Sequence, residues 1–371
     1  MQCHPYQSLS IDARVKHVHN NPKFDLRAGL QRGMTDIPRL REGAVGAQFW
    51  SICVPCLRSA ENFSTPEYSD MACDEIELID TTTRMVQSYP DVFEIIKGAD
   101  NVGKVYREGK IACSMGIEGL HMAGNSIGII RAFYTLDSST SKIGPVHGGL
   151  SKLGRSAVKK MNRLGMIVDA SHVSEDCARQ VLGLSLAPLM SSYSNVKGFF
   201  DCPRNVPDDI LDLISSNGGV VCVTFVPEHV ASRRKDAKME MVLDHMFYIA
   251  DRIGWDHISL GSDFDDIASV IPGLEDVQCY AALMQAILDR GATEEQLRMV
   301  IGDNMLRVWR GVERVRDQMA AEGVLPVEDV CEGRQWWRYD RYYHIPDPDP
   351  EDKLGLGWYG VPPPEGLYHG D

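Results

Sequence analysis

The sequence predicts an α/β fold with a mostly parallel sheet: a (β/α)8 TIM-type barrel that is incomplete, with two strands missing or degenerate. Three observations carry this expectation. Short β-branched runs alternate with longer amphipathic stretches, the pattern of repeated strand–helix units. The strand candidates are near-continuous apolar segments, as expected for strands covered on both faces. Only six such segments can be counted, whereas a closed barrel of this type has eight.

In chain order the strand candidates are residues 47–53 (AQFWSIC), 111–117 (IACSMGI), 166–170, 189–192, 220–225 and 257–261. Helices are expected over 74–89, 155–164 and 174–184, the last with Ser174 as N-cap. Others are expected over 208–215 after Pro207, then 239–252 and 279–290. A stretch at 293–301 opens with Thr293 and Gln296 at capping-box spacing and leads into 304–319. The strand deficit falls in two places. Before Ala47 there is only the weak segment 8–18, and between Tyr134 and Met161 the run DSSTSKIGPVHGG has no strand character. From about Leu325 the chain turns rich in Pro, Gly and aromatics with no apolar period. The expected organisation is therefore a barrel over 1–320 and an irregular tail over 321–371.

Composition narrows the function. The chain is 44% hydrophobic and 24% charged with a net charge of −14, globular and too acidic to favour nucleic acid as a partner. No apolar run reaches the roughly 18 residues of a membrane span, and neither end reads as a signal peptide or lipid anchor. A cytoplasmic protein with no membrane partner is expected. The ten cysteines are scattered; Cys53 and Cys56 form a lone CxxC with no second pair, so ordinary thiols are expected.

Catalytic groups of parallel barrels sit at the carboxyl ends of strands. That rule selects Glu118 after IACSMGI, His172 after MIVDA and Tyr193 after LMSS. It also selects Asp263, Asp265 and Asp266 after HISLG. A carboxylate, an imidazole and an acidic cluster on one rim suit a metal hydrolase. Each residue also has a plainer reading. Glu118 could be an ion-pair partner, His172 a helix cap, the SDFDD run a solvated turn and Arg204 a surface cation.

The segments TDIPRLREGAVGAQFWSICVPC, GIEGLH, HGGLSKLGR, MNRLGMIVDASHVS, PRNVPDDILDLI, GVVCVTFVPE, GSDFDDI, PGLEDV and GDNMLRV occur in this order over about 35–315. Together they resemble the membrane (renal-type) dipeptidases, and the match is nearer to fungal members. The resemblance implies a zinc-dependent hydrolase of the metal-dependent hydrolase superfamily, with two zinc ions on the barrel. Its substrate would be a dipeptide or peptide-like small molecule, and the family's members commonly form homodimers. It further implies that Glu118 is the carboxylate bridging the ions and His172 an imidazole ligand of the second. Arg204 would pair with the substrate carboxylate, and Asp263 would be the acid/base serving the leaving amine.

Three departures accompany the resemblance. The family carries a His-x-Asp pair on its first strand; here the region reads SLSIDARVKHVHNNPKFD, where Ile11-Asp12 is at most a stub and His17-x-His19 comes too late. The family's Thr-His strand is missing between RAFYTLD and HGGLS, and His147 does not replace it. Tyr193 stands where the second imidazole of the second zinc belongs, and a phenol is a poor zinc ligand. Of five expected metal ligands, Glu118 and His172 remain in kind. The implied function is dipeptide hydrolysis, with a place in a fungal secondary-metabolite pathway that trims glutathione-derived or peptide intermediates. The alternatives are an impaired enzyme kept as a binding or assembly module, or an incomplete gene model of an active dipeptidase.

Overall fold

The structure, a computed structural model, describes residues 2–3, 25–30, 33–54, 67–119 and 148–326. The segments 8–18 and 134–147, where the strand deficit was expected, and the tail from 327 lie outside the described residues. Every strand pairing among the described residues is parallel, as strands joined by helical crossovers require. They form two sheets. The first has the order β1 (Gln2–Cys3), β2 (Ala47–Ile52), β4 (Ile111–Ile117), β3 (Phe93–Ile95). The second has the order β5 (Met190–Ser194), β6 (Val220–Val223), β7 (Ile258–Leu260). The sheet is not closed among the described residues.

The helices begin and end where local chemistry dictates. α1 (Ile37–Glu42) is capped by Asp36, whose carboxylate accepts from Arg39 N at 3.0 Å and Leu30 N at 2.9 Å. α2 (Glu67–Gln87) and α3 (Ala99–Arg107) flank β3. α4 (Lys152–Leu164) starts on Ser151, whose hydroxyl accepts from Gly154 N, and stops at Gly165 with φ 77°. That left-handed turn is open to glycine and strained for other residues. α5 (Glu175–Leu184) is capped by the Ser174 hydroxyl, as expected. α6 (Asp208–Asn217), α7 (Met239–Ile253) and α8 (Tyr280–Asp289) follow the expected spans closely. The Thr293–Gln296 capping box opens α9 (Glu294–Arg298), and a π-helical turn, Met299–Asp303, joins it to α10 (Asn304–Ala321).

The core lies against these strands. Trp50 is fully buried and meets Phe93 edge-on at 6.1 Å. Phe225, Phe264 and Tyr280 form a second aromatic group with ring centres 5.6–6.3 Å apart. Burying one such ring contributes about 5 kcal/mol as an upper bound. Phe225 lies just past β6 and Phe264 just past β7 in the chain, so the group joins the segments that leave these two strands. Cys73, Cys113, Cys177, Cys202 and Cys222 are free thiols. Burial pushes the Cys113 thiol up to about 12 and that of Cys222 to about 11, the behaviour of small apolar side chains.

Two expectations need correction. The strand expected over 166–170 reduces to a single bridge between Asp169 and Met190. Its carbonyl at Val168 and its amide at Ala170 still bond Met190, but the Asp169 side chain takes the amides of Ser171 and Ser192. The chain therefore leaves the ladder after one turn of pairing. Before Ala47, the strand beside β2 is Gln2–Cys3 (Gln2↔Phe49, Cys3↔Trp50), not a piece of 8–18. The residue after it in sequence is His4, in a His-Pro-Tyr run.

Candidate active site at the strand ends

Each expected site residue leaves the carboxyl end of a strand or the loop beyond it. Glu118 follows β4, and its amide donates to Ile52 O at 2.9 Å, so strand pairing itself fixes where the side chain starts. It is 8% exposed and accepts from Ser51 Oγ at 3.3 Å. His172 has φ 64° and Asp263 has φ 65°. Non-glycine residues rarely adopt this left-handed conformation, and it gathers at functional sites. At Asp263 the neighbours enforce it. Ser262 accepts from the Tyr280 hydroxyl at 2.9 Å on one side, and Phe264 is locked in the aromatic group on the other.

Tyr193, in β5 and 3% exposed, is where these residues meet. Its hydroxyl donates to Glu118 Oε1 and lies in hydrogen-bond contact with His172 Nε2. His172 Nε2 is 3.1 Å from the same carboxylate oxygen. The Arg204 guanidinium lies over the Tyr193 ring, 5.1 Å from its centre, a cation–π arrangement. Burial, reinforced by the nearby negative charges of Glu118 and Asp263, holds the phenol well above its usual pKa of 10.0. The phenol is thus a neutral donor to a carboxylate. The structure brings Glu118, His172, Tyr193, Arg204 and Asp263 together. It does not bring in the rest of the SDFDD cluster. Asp265 accepts from Met34 N at 2.5 Å, and Asp266 is exposed. His17, His19 and His147 lie outside the described residues.

The zinc that the resemblance implies was tested against this donor set. Among the described residues no three His, Cys, Asp or Glu side chains are grouped to hold a metal ion. Glu118 and His172 present a carboxylate and an imidazole side by side, but the third neighbour is a protonated phenol bonded to both. These residues do not fit a two-zinc centre, whose ligands are deprotonated carboxylates and neutral imidazoles.

Sequence reasoning passed over two further groups. Asp169, 2% exposed, accepts from Ser171 N at 2.7 Å and Ser192 N at 3.0 Å. Ser171 Oγ in turn accepts from Tyr193 N at 3.1 Å. Asp169 therefore sets the spacing between the His172 loop and Tyr193. It is an acid inside an apolar strand candidate, and that mismatch was the available signal. The other group is a clasp of two asparagines. Asn205 Nδ2 donates to the carbonyls of Phe200 at 2.8 Å and His229 at 2.9 Å. Asn195 Oδ1 accepts from Thr224 N at 3.3 Å, and its Nδ2 reaches Thr224 O at 3.3 Å. The loops bearing Arg204 and His229 are thereby tied to the end of β5.

A sequence model of the membrane dipeptidase family (peptidase family M19) matches residues 3–323. The chain belongs to that family. Dipeptidase tcpJ of Claviceps purpurea (strain 20.1) is 39% identical over 347 residues, 89% of this chain and 79% of its own. Dipeptidase verJ of Clonostachys rogersoniana is 38% identical over 315 residues, 80% of this chain and 81% of its own. Among solved structures, a metallo peptidase from Rhodobacter sphaeroides liganded with a phosphinate mimic of the dipeptide L-Ala-D-Ala superposes with a TM-score of 0.71. It is 24% identical and covers 80% of this chain and 96% of its own, a likeness of fold. This M19 chain is a dipeptidase by family, a peptide-bond hydrolase on an α/β fold. No described helix is long and apolar enough to cross a membrane.

Proposed function

We propose that the chain binds dipeptides or peptide-like small molecules by their carboxylate at Arg204 and hydrolyses their peptide bond, slowly where Tyr193 fills the metal position. The observation that carries this is the grouping of Arg204, Asp263, Glu118 and His172 about one side chain, together with two buried guanidinium atoms. Arg204 Nε and Nη2 are buried and have no hydrogen-bond partner among the described residues. Buried donors left unpaired cost about 1–3 kcal/mol each, so a ligand carboxylate that takes both is strongly favoured. In this reading Asp263 takes a proton from water as its oxygen adds to the carbonyl carbon, and passes that proton to the amine nitrogen as the C–N bond breaks. No step is assigned to zinc, because the described donors do not make the family's site.

A second reading, a binding module without turnover, is favoured by the Tyr193 contacts with Glu118 and His172. The relatives named dipeptidases come from fungi, in keeping with a peptide intermediate of secondary metabolism as substrate. One experiment separates the readings. The purified chain is incubated with L-alanyl-glycine with and without added zinc, following free amino acids by chromatography and binding by calorimetry. Binding with slow release of alanine and glycine, with or without added zinc, supports the first reading. Binding with no release supports the second, and no binding sinks both.

A further inference from the structure

A cavity of about 350 Å³ lies toward the amino ends of the strands, away from the rim described above. It is bounded by the first residues of β2, by β4, by Ser259 of β7, and by α3 and α10. Ser114 marks its reach along β4, and Glu118 leaves the far end of that strand about 13 Å further on. The walls are aromatic and apolar. Phe49 and Trp309 meet there with ring centres 5.3 Å apart. Tyr106, 64% exposed, stands at the mouth, and a Cβ on Gly46 would come within 2.8 Å of its ring. Gly46 therefore lets that ring lie against the backbone. Another wall is the π-helical turn, whose last residues, Ile301 to Asp303, line the space. Ser259 Oγ donates to Val300 O of that turn at 3.2 Å and ties it to β7. Such turns are rare and gather at functional sites.

Two polar features define what the cavity would accept. Among its described lining residues Asp303 is the only carboxylate, and none is a lysine or arginine. Gln48 is 2% exposed, and its Nε2 and Oε1 are both buried with no hydrogen-bond partner among the described residues. Buried amides are nearly always paired, so this one calls for a partner.

We propose that the cavity is a second small-molecule site, for an uncharged aromatic molecule bearing one carboxamide. A ligand carboxamide carries the same donor and acceptor as Gln48, so the two pair through reciprocal N–H to O bonds. The ring lies among Phe49, Tyr106 and Trp309. A carboxylate would bring its charge toward Asp303 and offer Gln48 Oε1 no donor. The site is thus separate in place and in chemistry from the one assigned to Arg204, and it stands without that assignment.

The test follows binding of benzamide, benzoate and toluene by calorimetry to the native chain, Gln48→Met, Ala47→Leu and Arg204→Met. Thermal unfolding establishes that each is folded. The native chain is expected to bind benzamide saturably, and benzoate about tenfold more weakly or less. Gln48→Met is close in volume but has neither donor nor acceptor. It should weaken benzamide about tenfold and leave toluene within about twofold. It should also unfold no earlier than the native chain, because it removes an unpaired buried amide. Ala47→Leu, which fills the cavity, should weaken benzamide and toluene alike. Arg204→Met, on the catalytic rim, should change neither. No binding of benzamide to the folded native chain overturns the proposal. So do equal losses of benzamide and toluene in Gln48→Met, earlier unfolding of that variant, or undiminished binding in Ala47→Leu. Loss of benzamide in Arg204→Met would put it on the rim and overturns the proposal as well.

Discussion

The Tyr193 hydroxyl donates to the Glu118 carboxylate at the point where the family's second imidazole is expected to meet zinc. If the resemblance is right about these two positions, one residue change replaces a metal ligand by a hydrogen-bond donor to Glu118. The carboxylate thus has a hydrogen-bond donor in the Tyr193 hydroxyl.

Tyr193→His should reverse this. With Glu118 and His172 it would present two imidazoles and a carboxylate, a stable set for zinc with an open position. The expected result is about one zinc per chain after dialysis, measured by plasma emission, against well below one in the native chain. Equal and low zinc in both would show that the two remaining donors are not arranged for metal.

Tyr193→Phe should leave the rim folded but less stable. It deletes a hydrogen bond to a buried carboxylate, worth roughly 1.5–3 kcal/mol. Urea unfolding at neutral pH reads this directly, and an unchanged midpoint would argue that the contact contributes nothing.

Asp169→Ala should cost roughly 2–4 kcal/mol, since two amides lose a charged acceptor inside the protein. It should also weaken L-alanyl-glycine binding, because the His172 loop and β5 lose their common tie. A stable variant with native binding would contradict the positioning role.

Glu75, on α2, gives a test with the opposite sign from most carboxylates. It is fully buried, its oxygens have no partner among the described residues, and burial raises its pKa from 4.5 to about 8. Between these values the unfolded chain has released a proton that the folded chain retains. Its contribution therefore falls as pH rises from 4.5 to about 8 and is level beyond. Glu75→Gln should be more stable than the native chain at pH 8, by roughly 1–3 kcal/mol, and close to it at pH 5. Equal differences at both pH values would refute the assignment.

In the Glu75→Gln background the buried histidines should become visible. Burial first of all lowers His229 to about 3 and His245 to about 4 from the usual 6.5. The stability tied to their neutral forms is complete above 6.5 and is lost as pH falls from there toward 4 and 3. Urea midpoints should drop between pH 6.5 and 5, before most carboxylates titrate. A flat profile in that interval would count against it.

Much of the scaffold was legible because it is written locally. Ser174, Thr293 and Gln296 announce helix starts through hydrogen bonds to their own first turns. β2 and β4 are apolar enough to admit only a covered strand. β3 was not legible, because three residues, FEI, fit either period. The strand at Gln2–Cys3 was missed for the same reason. The rule of strand ends selected Glu118, His172 and Asp263, which the structure gathers about Tyr193. It did not select Asp169, because an acid within a strand reads as an interruption. Tyr193 carried the clearest message, since its chemistry contradicts the motif around it.

The asparagine clasp has a consequence for how recognition can change. Because the side-chain amides of Asn195 and Asn205 knot the Arg204 loop, the His229 turn and the end of β5 through hydrogen bonds to backbone groups, the segment from Asn195 to His229 is in effect a cassette. Swapping it whole between relatives should transplant ligand preference, whereas exchanging Arg204 or His229 singly would pit a new side chain against an old tether.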